Sequence, residues 1–126
     1  MQRAHLVDLA RHFVDGFNRN DLDSVMSFFA DDAIYDEFNG KRNVGKAAIR
    51  AAFEPQFTGA YGNMQFLDED LFADAETGKV MASWRCTLTI KGAPTSWRGL
   101  DLMHFVGDKL VQKLTYAKAK VPLFQN

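Results

Sequence analysis

KVMASWRCTLTI (residues 79–90) and TSWRGLDLMHFV (residues 95–106) are two runs of period-two alternation, separated only by Lys91-Gly92-Ala93-Pro94. A strand sends successive side chains to opposite faces. In the first run Val80, Ala82, Trp84, Cys86, Leu88 and Ile90 share one face, against Met81, Ser83, Arg85, Thr87 and Thr89. In the second, Trp97, Gly99, Asp101, Met103 and Phe105 fall together. A link this short makes an antiparallel hairpin. Asp101 therefore stands on a face that otherwise reads as core. A buried charge is expensive unless it is paired, hydrogen-bonded or neutralised. Either a partner compensates it, or the face lines a hollow.

Two further strand-like runs flank the hairpin, at residues 63–73 and 109–118. Their separators are Ala75-Glu76-Thr77-Gly78 and Gly107-Asp108. Upstream of Gly59 the period becomes helical. Leu6, Leu9, Ala10, Phe13 and Phe17 follow the i, i+3, i+4, i+7 spacing of a buried helix face. Asn20 or Asp21 caps a second helix with Leu22, Val25, Met26 and Phe29 as its stripe, ended by Asp31-Asp32. A short strand at 33–38 puts Ala33, Tyr35 and Glu37 on one side, with Asn39-Gly40 as the turn after it. A third helix after Gly45 faces Ile49, Phe53 and Phe57 inward, and Pro55 inside that pattern should end or kink it near Phe53-Glu54. Helices first and strands after predict an α+β domain: three N-terminal helices packed on a curved, mostly antiparallel sheet.

The chain has 126 residues, eleven of them Phe and two Trp, with a formal net charge of −1. That length suits one domain spanning residues 1–126, and the aromatic content rules out a disordered chain. The near-neutral, mixed charge leaves no footprint for nucleic acid or an anionic membrane. No apolar run approaches the ~20 residues that span a bilayer, and the first residues lack a signal-peptide core. Cys86 is the sole cysteine, so no intramolecular disulfide forms. A cytoplasmic protein is expected. No two His stand at metal-ligand spacing with a carboxylate, so no metal and no cofactor are expected.

Three blocks carry a resemblance: FNRNDLDSVMSFFADDAIYDEFNG, VGKAAIRAAF and WRGLDLMHFVGDKLVQKLTYAK. They resemble the nuclear transport factor 2-like superfamily on its SnoaL-like and ketosteroid isomerase-like side, over nearly the whole chain. The resemblance implies a cone-shaped roll whose sheet wraps the helices around a mostly apolar pocket, with Asp101 pointing into it. It implies pairing of two copies through the outer sheet face, where Leu100, Leu102, His104 and Val106 lie. It is specific for fold and not for reaction, since one fold hosts many activities.

Carried over residue by residue, the isomerase-like base falls at Glu37 and the oxyanion-stabilising acid at Asp101. The oxyanion-stabilising tyrosine falls at Phe13, which has no hydroxyl. An isomerase of this kind uses an Asp base with a Tyr and a protonated Asp as donors. The epoxide hydrolase pattern wants Arg-x-Asp, and Gly99 stands where its Arg would be; its second acid falls at Thr115. Tyr35 shares a strand face with Glu37. Lys113 falls on the Val111, Lys113, Thr115 side, which the resemblance turns inward, although a one-residue bulge would turn it to solvent. The expected catalytic group is therefore Glu37, Asp101, Tyr35 and Lys113. The expected pocket wall is Phe13, Phe53, Trp84, Cys86, Trp97, Met103 and Phe105. The resulting expectation is a pocket for a small apolar molecule, compatible with a cofactor-free isomerase, cyclase or dehydratase moving a proton on a carbonyl compound. The alternative is a non-catalytic ligand-binding or dimerisation domain.

Overall fold

In a computed structural model, which describes residues 1–118, the chain opens with helix α1 (Arg3–Asn18). Leu6, Ala10, Phe13, Val14 and Phe17 form its buried stripe. Helix α2 (Leu22–Ser27) starts at Asp21, whose carboxylate accepts from the Ser24 amide at 3.1 Å. That bond satisfies one of the orphan donors of a helix start. Strand β1 (Phe29–Asp36) begins four residues earlier than the alternation implied. A short β2 (Arg42–Val44) pairs back onto it. Helix α3 (Lys46–Phe57) follows, then β3 (Gln65–Asp74), β4 (Lys79–Ile90), β5 (Ala93–Val106) and β6 (Lys109–Lys118).

Of the two outcomes expected at Pro55, an end or a kink, the helix does not end there: α3 carries Pro55 inside and runs to Phe57. Proline removes one amide donor and fixes φ without forbidding a helical turn beyond it. The Thr58 amide still bonds the Glu54 carbonyl at 3.0 Å, and Phe57 is drawn onto the core beside Phe17 at 5.5 Å between ring centroids.

The six strands form one sheet in the order β2-β1-β6-β5-β4-β3. All neighbours are antiparallel except β1 with β6. The core lies between the helices and the inner sheet face. Its centre is aromatic: Phe13 makes edge contacts with Phe17, Phe28 and Phe29 at 5.2, 5.7 and 5.5 Å. Such edge-to-face pairs add about 0.5–1.5 kcal/mol beyond area burial.

One irregularity positions the site. His104 pairs with Gln112 but Phe105 pairs with Leu110, so Val111 is an extra residue in β6. A bulge resets the alternation on one strand. Leu110 and Lys113, three residues apart, are both buried. Among the described residues, no helix is long and apolar enough to cross a membrane.

Candidate functional site

Asp101 sits mid-strand on β5, opposite Ala82 of β4 and Thr115 of β6. It is 5% exposed. Its three polar neighbours are all donors. The Trp84 indole N–H reaches Oδ2 at 3.1 Å. The Thr115 hydroxyl reaches Oδ1 at 2.6 Å. The Lys113 ammonium stands 3.0 Å from Oδ1 and also donates to Thr115 Oγ1 at 2.7 Å. These are the contacts of a carboxylate accepting charge-assisted bonds. Within the protein, Asp101 is arranged as an acceptor.

Lys113 is equally buried. The bulge at Val111 precedes it, so the inward phase shared with Thr115 is kept and Leu110 takes the inward place expected of Val111. Aromatic faces surround the ammonium: it lies 4.5 Å from the Tyr35 ring centroid, 5.7 Å from Phe53 and 5.9 Å from Phe17. Ring quadrupoles stabilise a cation at these distances.

Glu37 lies just beyond β1, past Tyr35 on the same side. Its Oε2 accepts from Asn43 Nδ2 at 3.0 Å, and the same amide donates to the Tyr35 carbonyl at 3.3 Å. Asn43 is buried on β2 directly opposite Tyr35, so it pins the carboxylate from behind. Tyr35 stacks on Phe53 at 4.6 Å. Burial holds its hydroxyl well above the usual tyrosine range, and the negative charges of Asp101 and Glu37 push the same way.

These groups line one cavity of about 380 Å³, within the size range of small-molecule sites. Glu37, Asp101, Lys113, Thr115 and Tyr35 are its polar part, and the rest of the wall is largely apolar, including Phe13, Phe17, Phe66, Trp84 and Trp97. Phe38, Tyr61 and Ile90, each about two-fifths exposed, also line it and form an apolar rim.

Residues 10–113 match the SnoaL-like domain family. The chain belongs to this family. Solved structures share its nuclear transport factor 2-like architecture. A protein from Xanthomonas campestris pv. campestris described as a polyketide cyclase superposes with a TM-score of 0.81 at 22% identity over 92% of each chain. A protein described as a SnoaL-like polyketide cyclase from Shewanella denitrificans gives 0.80 at 14% identity over 92% of each chain. An NTF2-like protein of unknown function from Mesorhizobium loti gives 0.79 at 20% identity, covering 94% of this chain and 95% of its own. At these identities the likeness is one of fold. No curated protein matches the chain in sequence.

Within this SnoaL-like cavity the expected wall is corrected at three places. Met103 and Phe105 are 1% and 2% exposed and pack in the closed core. They share Asp101's strand face but lie beyond the hollow's end. Cys86 is fully buried and does not line the cavity. It sits near the Trp97 indole, whose buried N–H has no hydrogen-bond partner among the described residues, and burial pushes the Cys86 thiol up. Phe13, Phe53, Trp84 and Trp97 do line the cavity. Gly99 also gains a reason. A Cβ there would stand 2.5 Å from the Tyr116 carbonyl oxygen and 2.6 Å from Trp84 Cη2. The indole that reaches Asp101 occupies the space an Arg-x-Asp arginine would need.

Sequence reasoning missed Asn43 and the role of Thr115. Asn43 lies on a three-residue strand too short to show a period. Thr115 shared the inward face with Lys113, and that shared face was the available signal.

Proposed function

We propose that this SnoaL-like protein binds a small apolar carbonyl compound and moves a proton on it without a cofactor, as an isomerase, cyclase or dehydratase does. One observation carries the reading: a carboxylate held from behind and a buried ammonium line the same apolar cavity. Glu37 is the base, since Asn43 occupies Oε2 and Oε1 has no protein donor among the described residues. Lys113 donates to the ligand oxygen on which negative charge develops. Asp101 and Thr115 hold Lys113 in place, so Asp101 is a positioning residue. The Tyr35 hydroxyl, kept protonated by its surroundings, is a second donor in place of the one Phe13 lacks. Pre-oriented donors facing a developing oxyanion are each worth roughly 3–4 kcal/mol of transition-state stabilisation. A cytoplasmic setting fits a lone, buried thiol.

The test uses 5-nitrobenzisoxazole. A base takes the proton from C3 as the ring N–O bond breaks, and a coloured cyanophenolate is released. The native protein is expected to accelerate this step, and Glu37→Gln to lower kcat by about 10²-fold or more, the usual contribution of general-base catalysis. Turnover by Glu37→Gln at the native rate overturns the assignment. Binding without turnover supports the non-catalytic alternative.

We also propose that two copies pair through the outer sheet face. Phe72, Met81, Leu102 and Leu114 form one cross-strand row over four strands there. Phe72 and Leu102 are 64% and 41% exposed. A contiguous exposed apolar row of this kind marks an interaction surface.

A further inference from the structure

Among the described residues, the charged side chains on the cavity wall number three: Glu37 just past β1, Asp101 on β5 and Lys113 on β6. The ammonium is already committed to Asp101 at 3.0 Å. Among the described residues Glu37 has no salt-bridge partner; its partner is the neutral amide of Asn43. The facing part of α3 offers Ala52, Phe53, Pro55 and Gln56, all uncharged. The wall thus holds two carboxylates against one ammonium, in surroundings whose apolar rings screen charge poorly. Burial chiefly keeps the Tyr35 hydroxyl protonated, and the charges of Asp101 and Glu37 push the same way.

We infer that the cavity selects uncharged ligands and rejects carboxylates, with the ligand's polar end at Lys113 and its apolar end at the Phe38, Tyr61 and Ile90 rim. This rests on the reading of the cavity as a small-molecule site. An anion entering it would lose its hydration and add a second uncompensated negative charge to that of Glu37. An uncharged carbonyl accepts from Lys113 and adds none. Proton transfer then moves one negative charge from Glu37 to the ligand oxygen beside Lys113, and the total within the cavity stays constant.

Isothermal titration calorimetry at pH 8 with 2-acetylnaphthalene and 2-naphthoate decides the matter, because the two share size and shape and differ in charge. The native protein should bind the ketone at least tenfold more tightly. Glu37→Gln, which removes that charge at constant volume, should tighten naphthoate binding at least fivefold and so narrow the gap between the two ligands. Equal or tighter naphthoate binding by the native protein overturns the inference while leaving the small-molecule reading intact. So does a gap that Glu37→Gln leaves unchanged. Failure of both probes to bind the native protein overturns the reading and the inference together.

Discussion

Replacing Lys113 with Met should destabilise the fold by about 3 kcal/mol, and the origin of that cost is specific. Lys113 and Asp101 have side chains 6% exposed and stand 3.0 Å apart. Removing one member of a buried pair costs about 3–5 kcal/mol, because the other charge stays buried without its partner. Here Asp101 keeps the Trp84 and Thr115 bonds, and the open cavity lets water approach, so the lower end applies. Asp101→Asn should cost less. It leaves the ammonium its bond to Thr115 and the faces of Tyr35, Phe53 and Phe17, a cation–π contribution of about 1–2 kcal/mol. Asp101→Leu combined with Lys113→Met removes both charges, and its cost should fall well short of the sum of the single changes. Urea titrations of the native protein and these variants give the free energies, and a 3 kcal/mol loss should lower Tm by about 10–15 °C in a domain this size. A Lys113→Met loss below about 1 kcal/mol, or additive costs in the double variant, would refute the coupled buried pair on which the site rests.

Above pH 10 the unfolded chain ionises its tyrosines while folded Tyr35 keeps its proton. The unfolded state then binds fewer protons, so stability falls as pH rises, by up to about 1.4 kcal/mol per unit from this residue; urea midpoints at pH 10 and 11 should show the loss, and Tyr35→Phe should remove that part. Gly99→Ala forces a Cβ against the Tyr116 carbonyl and the Trp84 ring and should cost about 1–3 kcal/mol by overpacking, with a change in tryptophan fluorescence; a native-like melt and spectrum would show that Trp84 does not pack there. Leu102→Glu places a charge in the middle of the outer apolar row and should convert a dimer to a monomer by light scattering. A native protein already monomeric at high concentration would dismiss the outer-face pairing.

Much of the architecture is readable because long strands repeat one physical instruction many times. β4 and β6 have the bounds their alternation predicts, and β5 differs only by starting at Ala93. Errors fall where a signal is short or two signals compete. Phe29 fits both the stripe of α2 and the inward face of β1, and pairing with Leu110 of β6 places it in the strand. Three residues of β2 carry no period at all. Pro55 reads as an end or a kink, yet the helix runs past it to Phe57, whose spacing already marked it as inward and which packs against Phe17.

The site was readable in its anchors and not in its chemistry. An acid among apolar neighbours identifies Asp101 from alternation alone, because burial without a partner is untenable. Which partner answers it depends on the register of another strand. The bulge at Val111 is where such an argument breaks, since one extra residue decides whether Leu110 and Lys113 oppose each other or share a face. Once Lys113 faces Asp101, the role of each changes. In the proposed mechanism the aspartate is an acceptor that orients the ammonium, and the ammonium is the donor offered to a ligand. Among the described residues, Glu37 is then the carboxylate with an uncommitted oxygen. The division of labour between two acids of the same charge thus follows from what lies beside each of them: a cation and two donors for one, a neutral amide for the other.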